Sequence, residues 1–224
     1  HKGTVARVFA MIENIDQNVG KLEAYLEESG QKDNTLMMFF TDNGPNTMRY
    51  VGDFRAMKSH VHDGGIRTMF YARWPERFKA GHVDDRISAH IDMLPTLAAA
   101  SGAPLPEGVK IDGTNLLPLL EGTPSDWPDR TLVLQTHRGD APIPFHHMAV
   151  RTQDWKLVHP TGFGSETMKE GIPFELYRIG EDPGEAENLA EKLPEKMTEL
   201  KSFYMGWFDD VSSTRPDNLS LIHI

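Results

Sequence analysis

The sequence contains no cysteine, and this absence limits the chemistry that the chain can supply. Its 224 residues offer no thiol that could form a disulfide, bind zinc as a thiolate or act as a nucleophile. A run of about 18 apolar residues is also missing, so no segment is predicted to span a membrane. The beginning of the chain lacks the pattern of a signal peptide.

Basic residues are few relative to acidic ones. The chain has 23 Lys and Arg against 33 Asp and Glu, which gives a formal net charge of −10. This balance argues against a nucleic-acid-binding surface and is compatible with binding a cation. Hydrophobic residues make up 39% and charged residues 25% of the chain, which is the composition of a globular protein with one domain or two small ones.

The two ends of the chain lead to separate expectations. The sequence begins with His1 rather than Met and enters a helical pattern at once, so we expect a fragment whose upstream part is absent. Residues 219–224 are mostly apolar and follow a polar stretch. They are interpreted either as a non-native tail or as a small terminal strand.

The first 41 residues predict a helix followed by a strand. Between residues 5 and 26 the apolar positions recur at steps of three and four, which is typical of an amphipathic helix, and Gly30 can end it. Residues 35–41 form a continuous apolar run, as in a strand buried on both faces of a parallel sheet. We therefore predict an α/β fold, with part of a mixed, mostly parallel sheet flanked by helices.

The rest of the chain divides in two near residue 128. Before that point we predict a strand at 68–74 and a helix at 88–100, with Pro95 either in its first turn or at a kink. After it, residues 129–218 predict a small antiparallel α+β subdomain. Its predicted elements are short strands near 131–135, 147–151, 155–158 and 175–177, and a closing helix at 193–211.

Candidate metal ligands follow the predicted apolar strand. In open α/β sheets ligands bind at the carboxyl ends of strands, and Asp42 and Asn43 lie at that position. A carboxylate and an amide oxygen suit Ca²⁺ or Mg²⁺ better than zinc. Asp-Asn-Gly is also a common turn, so a purely structural role for these residues stays open.

Further candidates lie in the loops. Lys58 could donate its charge to an anionic group beside a metal, although a solvated surface lysine is the alternative. His60 and His62 could form a transition-metal pair, for which no third ligand is evident. His137 could contact an anionic substrate or carry a proton, or it could serve in capping or packing.

Several motifs occur in order along nearly the whole chain. They lie at residues 11–22, 39–44 (Phe-Phe-Thr-Asp-Asn-Gly), 57–58 (Met-Lys), 63–67 (Asp-Gly-Gly-Ile-Arg), 92–97, 112–120, 149–157, 175–177 and 182–189. Together they resemble the formylglycine-dependent sulfatases of the alkaline phosphatase superfamily. The resemblance implies that 1–128 is the later part of the catalytic α/β domain and that 129–218 is the C-terminal subdomain.

The resemblance also implies a function. The expected activity is hydrolysis of aryl or carbohydrate sulfate esters, with Asp42 and Asn43 as two ligands of a divalent ion, usually Ca²⁺ and less often Mg²⁺. Lys58 would bind the sulfate group, and His137 would lie in the substrate pocket. A periplasmic or extracellular location is implied as well, with a small-molecule or carbohydrate sulfate ester as partner.

The sequence departs from the family pattern at several points. Asp63 replaces the commoner Glu, and Met69-Phe70 stands where Val-Pro is frequent. The Cys/Ser-x-Pro/Ala-x-Arg motif that yields the formylglycine nucleophile does not occur, so we expect it in a missing N-terminal part. The chain alone is predicted to be inactive and to bind Ca²⁺ weakly. A phosphodiesterase or phosphonate hydrolase of the same superfamily, or a non-catalytic relative, is the alternative; the oligomeric state is not predicted.

Overall fold

A computed structural model gives the architecture of the chain. It describes residues 2–48, 50–123, 127–136, 142–162 and 167–213. His137 and the predicted tail at 219–224 lie outside these residues. Within the described ranges, no helix is both long and apolar enough to cross a membrane.

The elements follow one another in an order that alternates helices with short strands. They are α1 (Lys2–Glu28), β1 (Met37–Phe40), α2 (Asp63–Ile66), β2 (Phe70–Arg73), a 3₁₀ turn (His90–Asp92), α3 (Met93–Ser101), α4 (Leu117–Leu120), β3 (Leu132–Gln135), β4 (Met148–Arg151), β5 (Trp155–His159), β6 (Glu175–Arg178) and α5 (Pro194–Ser213).

These elements form two compact units. The first comprises His1–Phe40 and Phe70–Ser125, and the second comprises Thr41–Met69 and Asp126–Ile224. The segment with the candidate residues Asp42, Asn43 and Lys58 therefore belongs to the second unit, together with the C-terminal strands. The predicted family domains with a boundary at residue 128 stay a prediction.

The long first helix is confirmed, but much of its apolar stripe is exposed in the part of the chain that the structure describes. Leu26 at its end is buried, whereas Phe9, Ile12, Ile15 and Leu22 are between 48% and 65% exposed. The three- and four-residue spacing thus identifies the helix and its face correctly. It does not identify a surface that buries that face.

The first unit contains a two-stranded sheet. β1 pairs antiparallel with β2, with Met37 opposite Arg73 and Phe40 opposite Phe70. The mixed α/β class is confirmed, but a mostly parallel sheet is not, because both sheets in the described parts of the chain are antiparallel. The prediction that the apolar run is buried on both faces is wrong here: three residues of β1 are half-buried and the fourth is exposed, since among the described residues β2 is its one hydrogen-bonded neighbour.

The turn before α3 explains the role of Asp92, which begins the motif at residues 92–97. Both oxygens of the buried Asp92 carboxylate accept backbone hydrogen bonds, from Ala89 at 2.7 Å and from Thr114 at 2.8 Å. Pro95 lies in the first turn of α3, where its missing N–H costs no helical hydrogen bond. Gly102 ends the helix with a φ of 71°, as a left-handed C-cap.

The second unit is built on a four-stranded antiparallel sheet in the order β3-β4-β5-β6. The four predicted strands and the closing helix α5 are confirmed. One face of the sheet packs against α5 through Met197, Leu200 and Tyr204. Phe203 of the same helix is 45% exposed.

The other face of this sheet carries the segment 41–69. Val61 of that segment packs with Ala149, Val158 and Tyr177, which alternate along the strands with the residues that face α5. The candidate site is thus positioned by the central strands of the sheet.

Candidate functional site

Asp42 and Asn43 are carried by a chain segment that lies directly on a pair of glycines. The amide of Gly44 donates a 2.9 Å hydrogen bond to the carbonyl oxygen of Gly65. A Cβ atom at Gly44 would collide with the carbonyl oxygen of Gly64. Gly44 is therefore required by a close approach of two backbones and not only by its turn geometry.

The same glycines form the base of the loop that contains Lys58, residues 55–62, which we call the Lys58 loop. The amide of Gly64 donates to the carbonyl of Arg55 at 2.8 Å. Any side chain at Gly64 would collide with the carbonyl of Ala56, and one at Gly65 would collide with that of His60. The glycine pair, which lies within the short helix α2, thus has the ligand segment on one side and the Lys58 loop on the other.

Two strained residues flank Lys58 in this loop. Ala56 and Ser59 have φ values of 66° and 73°, which non-glycine residues rarely adopt. The amide of Lys58 donates to the carbonyl of Pro45 at 2.9 Å. The Nζ atom of Lys58 lies 4.0 Å from Oδ2 of Asp42, so the fold brings these two predicted site residues together.

The oxygen donors of Asp42 and Asn43 are of the kind that a hard cation prefers. The Asp42 carboxylate is 81% exposed, and Asn43 beside it adds an amide oxygen. Ca²⁺ takes about six to eight oxygen ligands, so two residues supply only part of a coordination shell. Within the described ranges no group of three His, Cys, Asp or Glu side chains is arranged to hold a metal. His137, the remaining predicted residue, lies outside the described residues.

A buried ion cluster beneath the glycine pair was missed by sequence reasoning. Lys156 on β5 is fully buried, with its Nζ atom 2.5 Å from Oδ1 of Asp63 and 2.7 Å from Oε1 of Glu185. The amide of Asp63 donates to Oε2 of Glu185 at 2.7 Å. Because Asp63 directly precedes Gly64, the cluster fixes the start of α2 against the sheet. The one sequence signal was a lysine between apolar strand residues.

A second polar cluster lies at the two ends of the Lys58 loop, at Arg55 and His62. Oε2 of Glu175 accepts hydrogen bonds from Nε2 of His62 and from the hydroxyl of Tyr177, each at 2.7 Å. Arg55 lies 3.2 Å from the same oxygen and donates to Tyr177. Burial raises the pKa of Glu175, but the bonds from His62 and Tyr177 and the nearby charges outweigh it and lower that pKa to about 2.

The two histidines considered as a metal pair have different partners. His62 is buried against Glu175, whereas Nδ1 of His60 lies 3.1 Å from the carbonyl of Met57. Glu175, the partner of His62, also bonds the Tyr177 hydroxyl, whose pKa is raised by burial and further by that bond. The structure therefore gives His60 and His62 structural partners and does not assemble a transition-metal site from them within the described residues.

Comparison with known proteins gives consistent matches. Residues 3–103 match the family model described as "Sulfatase". Arylsulfatase A of Homo sapiens is 32% identical over 213 residues, covering 85% of this chain and 41% of that protein. N-acetylglucosamine-6-O-sulfatase of Bacteroides thetaiotaomicron is 30% identical over 185 residues, covering 80% of this chain and 30% of that protein.

Solved structures agree with these matches. One, a protein in complex with its substrate D-glucosamine-2-N,6-O-disulfate, superposes with a TM-score of 0.64 at 25% identity over 95% of this chain and 41% of the other. The chain spans less than half of the length of each of these relatives.

Proposed function

Because the chain belongs to the sulfatase family, we propose that the protein it comes from hydrolyses sulfate esters of aryl or carbohydrate alcohols. The matched relatives include an arylsulfatase and a sugar 6-O-sulfatase. A structural relative is bound to a doubly sulfated glucosamine. The proposed substrate is therefore an aryl or carbohydrate sulfate ester, and the relatives favour no single one.

The observation that carries this proposal is the pairing of Lys58 with Asp42. A hydrolase of this kind must stabilise negative charge that develops on the sulfate oxygens. The exposed ammonium group of Lys58, 4.0 Å from the Asp42 carboxylate, places a positive charge beside the candidate metal ligands. Lys58 is thus proposed to bind the sulfate group and to stabilise its charge in the transition state.

Asp42 and Asn43 are proposed to hold a divalent ion, with Ca²⁺ preferred over Mg²⁺. Their oxygen donors fit a hard cation, and when bound it would polarise a sulfate oxygen as a Lewis acid. The Asp42 carboxylate, which lies 4.0 Å from Nζ of Lys58, would then also be a ligand of the ion. The glycine pair below would hold both segments at a fixed separation.

Two parts of the catalytic machinery are proposed on the family resemblance alone. His137 is proposed to contact the substrate and to protonate the leaving alcohol or assist release of sulfate. The nucleophile is proposed to be a formylglycine outside these residues, since the chain has no cysteine and no Cys/Ser-x-Pro/Ala-x-Arg motif. The 224-residue chain by itself is therefore proposed to lack turnover. A periplasmic or extracellular location is also proposed on this resemblance.

The test compares ester classes in the protein expressed from its complete gene. We expect turnover of 4-nitrocatechol sulfate or of a sulfated amino sugar, and little turnover of bis(4-nitrophenyl) phosphate. The 224-residue chain assayed beside it should be inactive on all of them. Preference for the phosphodiester would replace the proposed function with phosphoryl transfer, and activity of the short chain would refute the missing nucleophile.

A further inference from the structure

His147 connects the C-terminal subdomain to the Lys58 loop. It lies directly before β4, and its side chain is almost entirely buried. Its Nε2 atom lies 2.9 Å from the carbonyl oxygen of Ser59, the residue after Lys58. On the other side of the ring, the amide of Gly162 donates to Nδ1 at 3.0 Å.

These two bonds fix the protonation of the ring. A carbonyl oxygen can only accept and an amide can only donate, so Nε2 carries the proton and Nδ1 offers its lone pair. His147 is thus a neutral imidazole that bridges two backbone segments. Burial lowers its pKa, although the bond to Ser59 opposes this effect, and the neighbouring His146, His60 and His62 lower it further.

The backbone of His147 is held by a second set of bonds. The amide of His147 donates to Oγ1 of Thr161 at 2.8 Å. The Thr161 hydroxyl is then free to donate to Nδ1 of His146, which lies 2.9 Å away. His147 also has a φ of 43°, a strained value that these contacts stabilise. The backbone of His147 is therefore held by Thr161, and its imidazole is directed at Ser59.

The accepting residue is one of the strained positions of the loop. Ser59 has a left-handed φ of 73°, which is unfavourable for a non-glycine residue. Before it, the amide of Lys58 is bonded to Pro45. The Lys58 loop is thus hydrogen-bonded to other segments at the amide of Lys58 and at the carbonyl of Ser59, and His147 provides the second of these bonds.

We propose that His147 is a positioning residue for Lys58: its Nε2–H holds the Ser59 carbonyl and thereby keeps the Lys58 ammonium group beside Asp42. The placement of the loop is independent of function, but the benefit for sulfate binding rests on the proposed function. His147 acts through Lys58 and is not itself proposed to touch the substrate.

A pair of substitutions separates the two bonds of the ring. In His147→Gln the longer amide can still donate to Ser59 but no longer accepts from Gly162. His147→Asn offers an acceptor near Nδ1 for Gly162 and is too short to reach Ser59. His82→Asn is the matched control, because it removes a comparable bond from Nε2 of His82 to the carbonyl of Leu119, in the first unit.

The readout is hydrogen–deuterium exchange of peptides covering residues 57–61, in the protein expressed from its complete gene. Loss of one hydrogen bond of about 1 kcal/mol should speed local exchange by about five- to tenfold. We expect this acceleration in His147→Asn, with values within about twofold of wild type in His147→Gln and His82→Asn. Equal acceleration in both His147 variants, or in His82→Asn, would overturn the proposal.

Acidification supplies a readout that a merely structural histidine would not move. A proton on Nδ1 would set two donors against each other at the Gly162 amide and push the ring away from Ser59, whereas His147→Gln merely lacks the acceptor. Exchange of the wild-type loop, corrected for the pH dependence of intrinsic exchange, should therefore become faster once the pH falls below the lowered pKa of His147. His147→Gln lacks this group and should show no such step; a step of equal size in that variant would refute the role of His147.

In kinetics, His147→Asn should lose sulfate-ester turnover and His147→Gln should keep most of it. If the exchange pattern holds but no sulfate ester is hydrolysed, the proposed function fails and the placement by His147 stands.

Discussion

The amide of Gly44 donates a 2.9 Å hydrogen bond to the carbonyl oxygen of Gly65, and this bond joins the segment of Asp42 and Asn43 to the glycine pair of α2. The Lys58 loop packs on the same pair from its other side. A single backbone platform therefore sets the separation between the candidate metal ligands and the candidate sulfate-binding lysine.

Gly44→Ala tests the close backbone approach. The added methyl group would collide with the carbonyl of Gly64, and such overpacking costs about 1–3 kcal/mol of unfolding free energy. Gly20→Ala is the control, because no atom lies near its Cβ position in α1 and alanine favours a helix. Urea unfolding should show a loss in the first variant and no loss in the second. Wild-type stability of Gly44→Ala would show that the platform is not as tight as described.

Lys156→Met tests the buried ion cluster. Removing the lysine takes away the ammonium group that contacts both buried carboxylates and leaves Asp63 with Arg67 at 3.8 Å, so we expect a cost of about 3–5 kcal/mol. Lys192→Met, which breaks the exposed ion pair with Glu187, should cost at most about 1 kcal/mol. Adding Glu185→Gln to Lys156→Met should recover part of the loss, measured by urea unfolding. Equal losses for the two lysines would contradict the role of the cluster.

Glu175 should make stability depend on pH. Its pKa is lowered from an ordinary value of 4.5 to about 2, so its contribution is present above 4.5 and is lost as the pH falls from there through about 2. Between about pH 6 and about pH 3 we expect wild type to lose roughly 1–2 kcal/mol more than Glu175→Gln does. Glu187→Gln, at an exposed ion pair, should keep the wild-type slope. An unchanged slope in Glu175→Gln would remove Glu175 as the cause.

Chelation tests the proposed metal ligands. In the protein expressed from its complete gene, EGTA should abolish sulfate-ester hydrolysis, and added Ca²⁺ should restore it better than Mg²⁺. Asp42→Asn should weaken Ca²⁺ binding at least about tenfold by isothermal titration calorimetry, since it removes a charged ligand. Asp16→Asn on α1 should bind as wild type does. Unaltered affinity in Asp42→Asn would exclude Asp42 as a ligand.

Local patterns predicted the elements well where packing agrees with them. In the C-terminal subdomain the short strand-like runs and the helical spacing predict the observed strands and closing helix; the strands pack on both faces, with one set of residues facing α5 and the next facing the segment 41–69. The apolar run at β1 misled, since an apolar run does not say whether its partner is parallel or how many strands cover it.

The site was predictable only as residues and not as an arrangement. Asp42, Asn43 and Lys58 carry chemistry that their neighbours in sequence make visible. The supports for them do not: Lys156 and Asp63 are 93 positions apart, and His147 and Ser59 are 88 apart. A buried lysine and a neutral bridging histidine have no local sequence signature, because their partners are brought near only by the fold.

Replacement of Lys58 tests the central claim most directly. In the protein expressed from its complete gene, Lys58→Ala should lower kcat/KM for 4-nitrocatechol sulfate by about 10²- to 10³-fold, because it removes a charge that stabilises the transition state. Lys32→Ala, at an ion pair with Glu27 next to α1, should retain wild-type turnover. Both variants should unfold at the wild-type urea concentration. A folded Lys58→Ala protein that hydrolyses the ester at the wild-type rate would contradict the account.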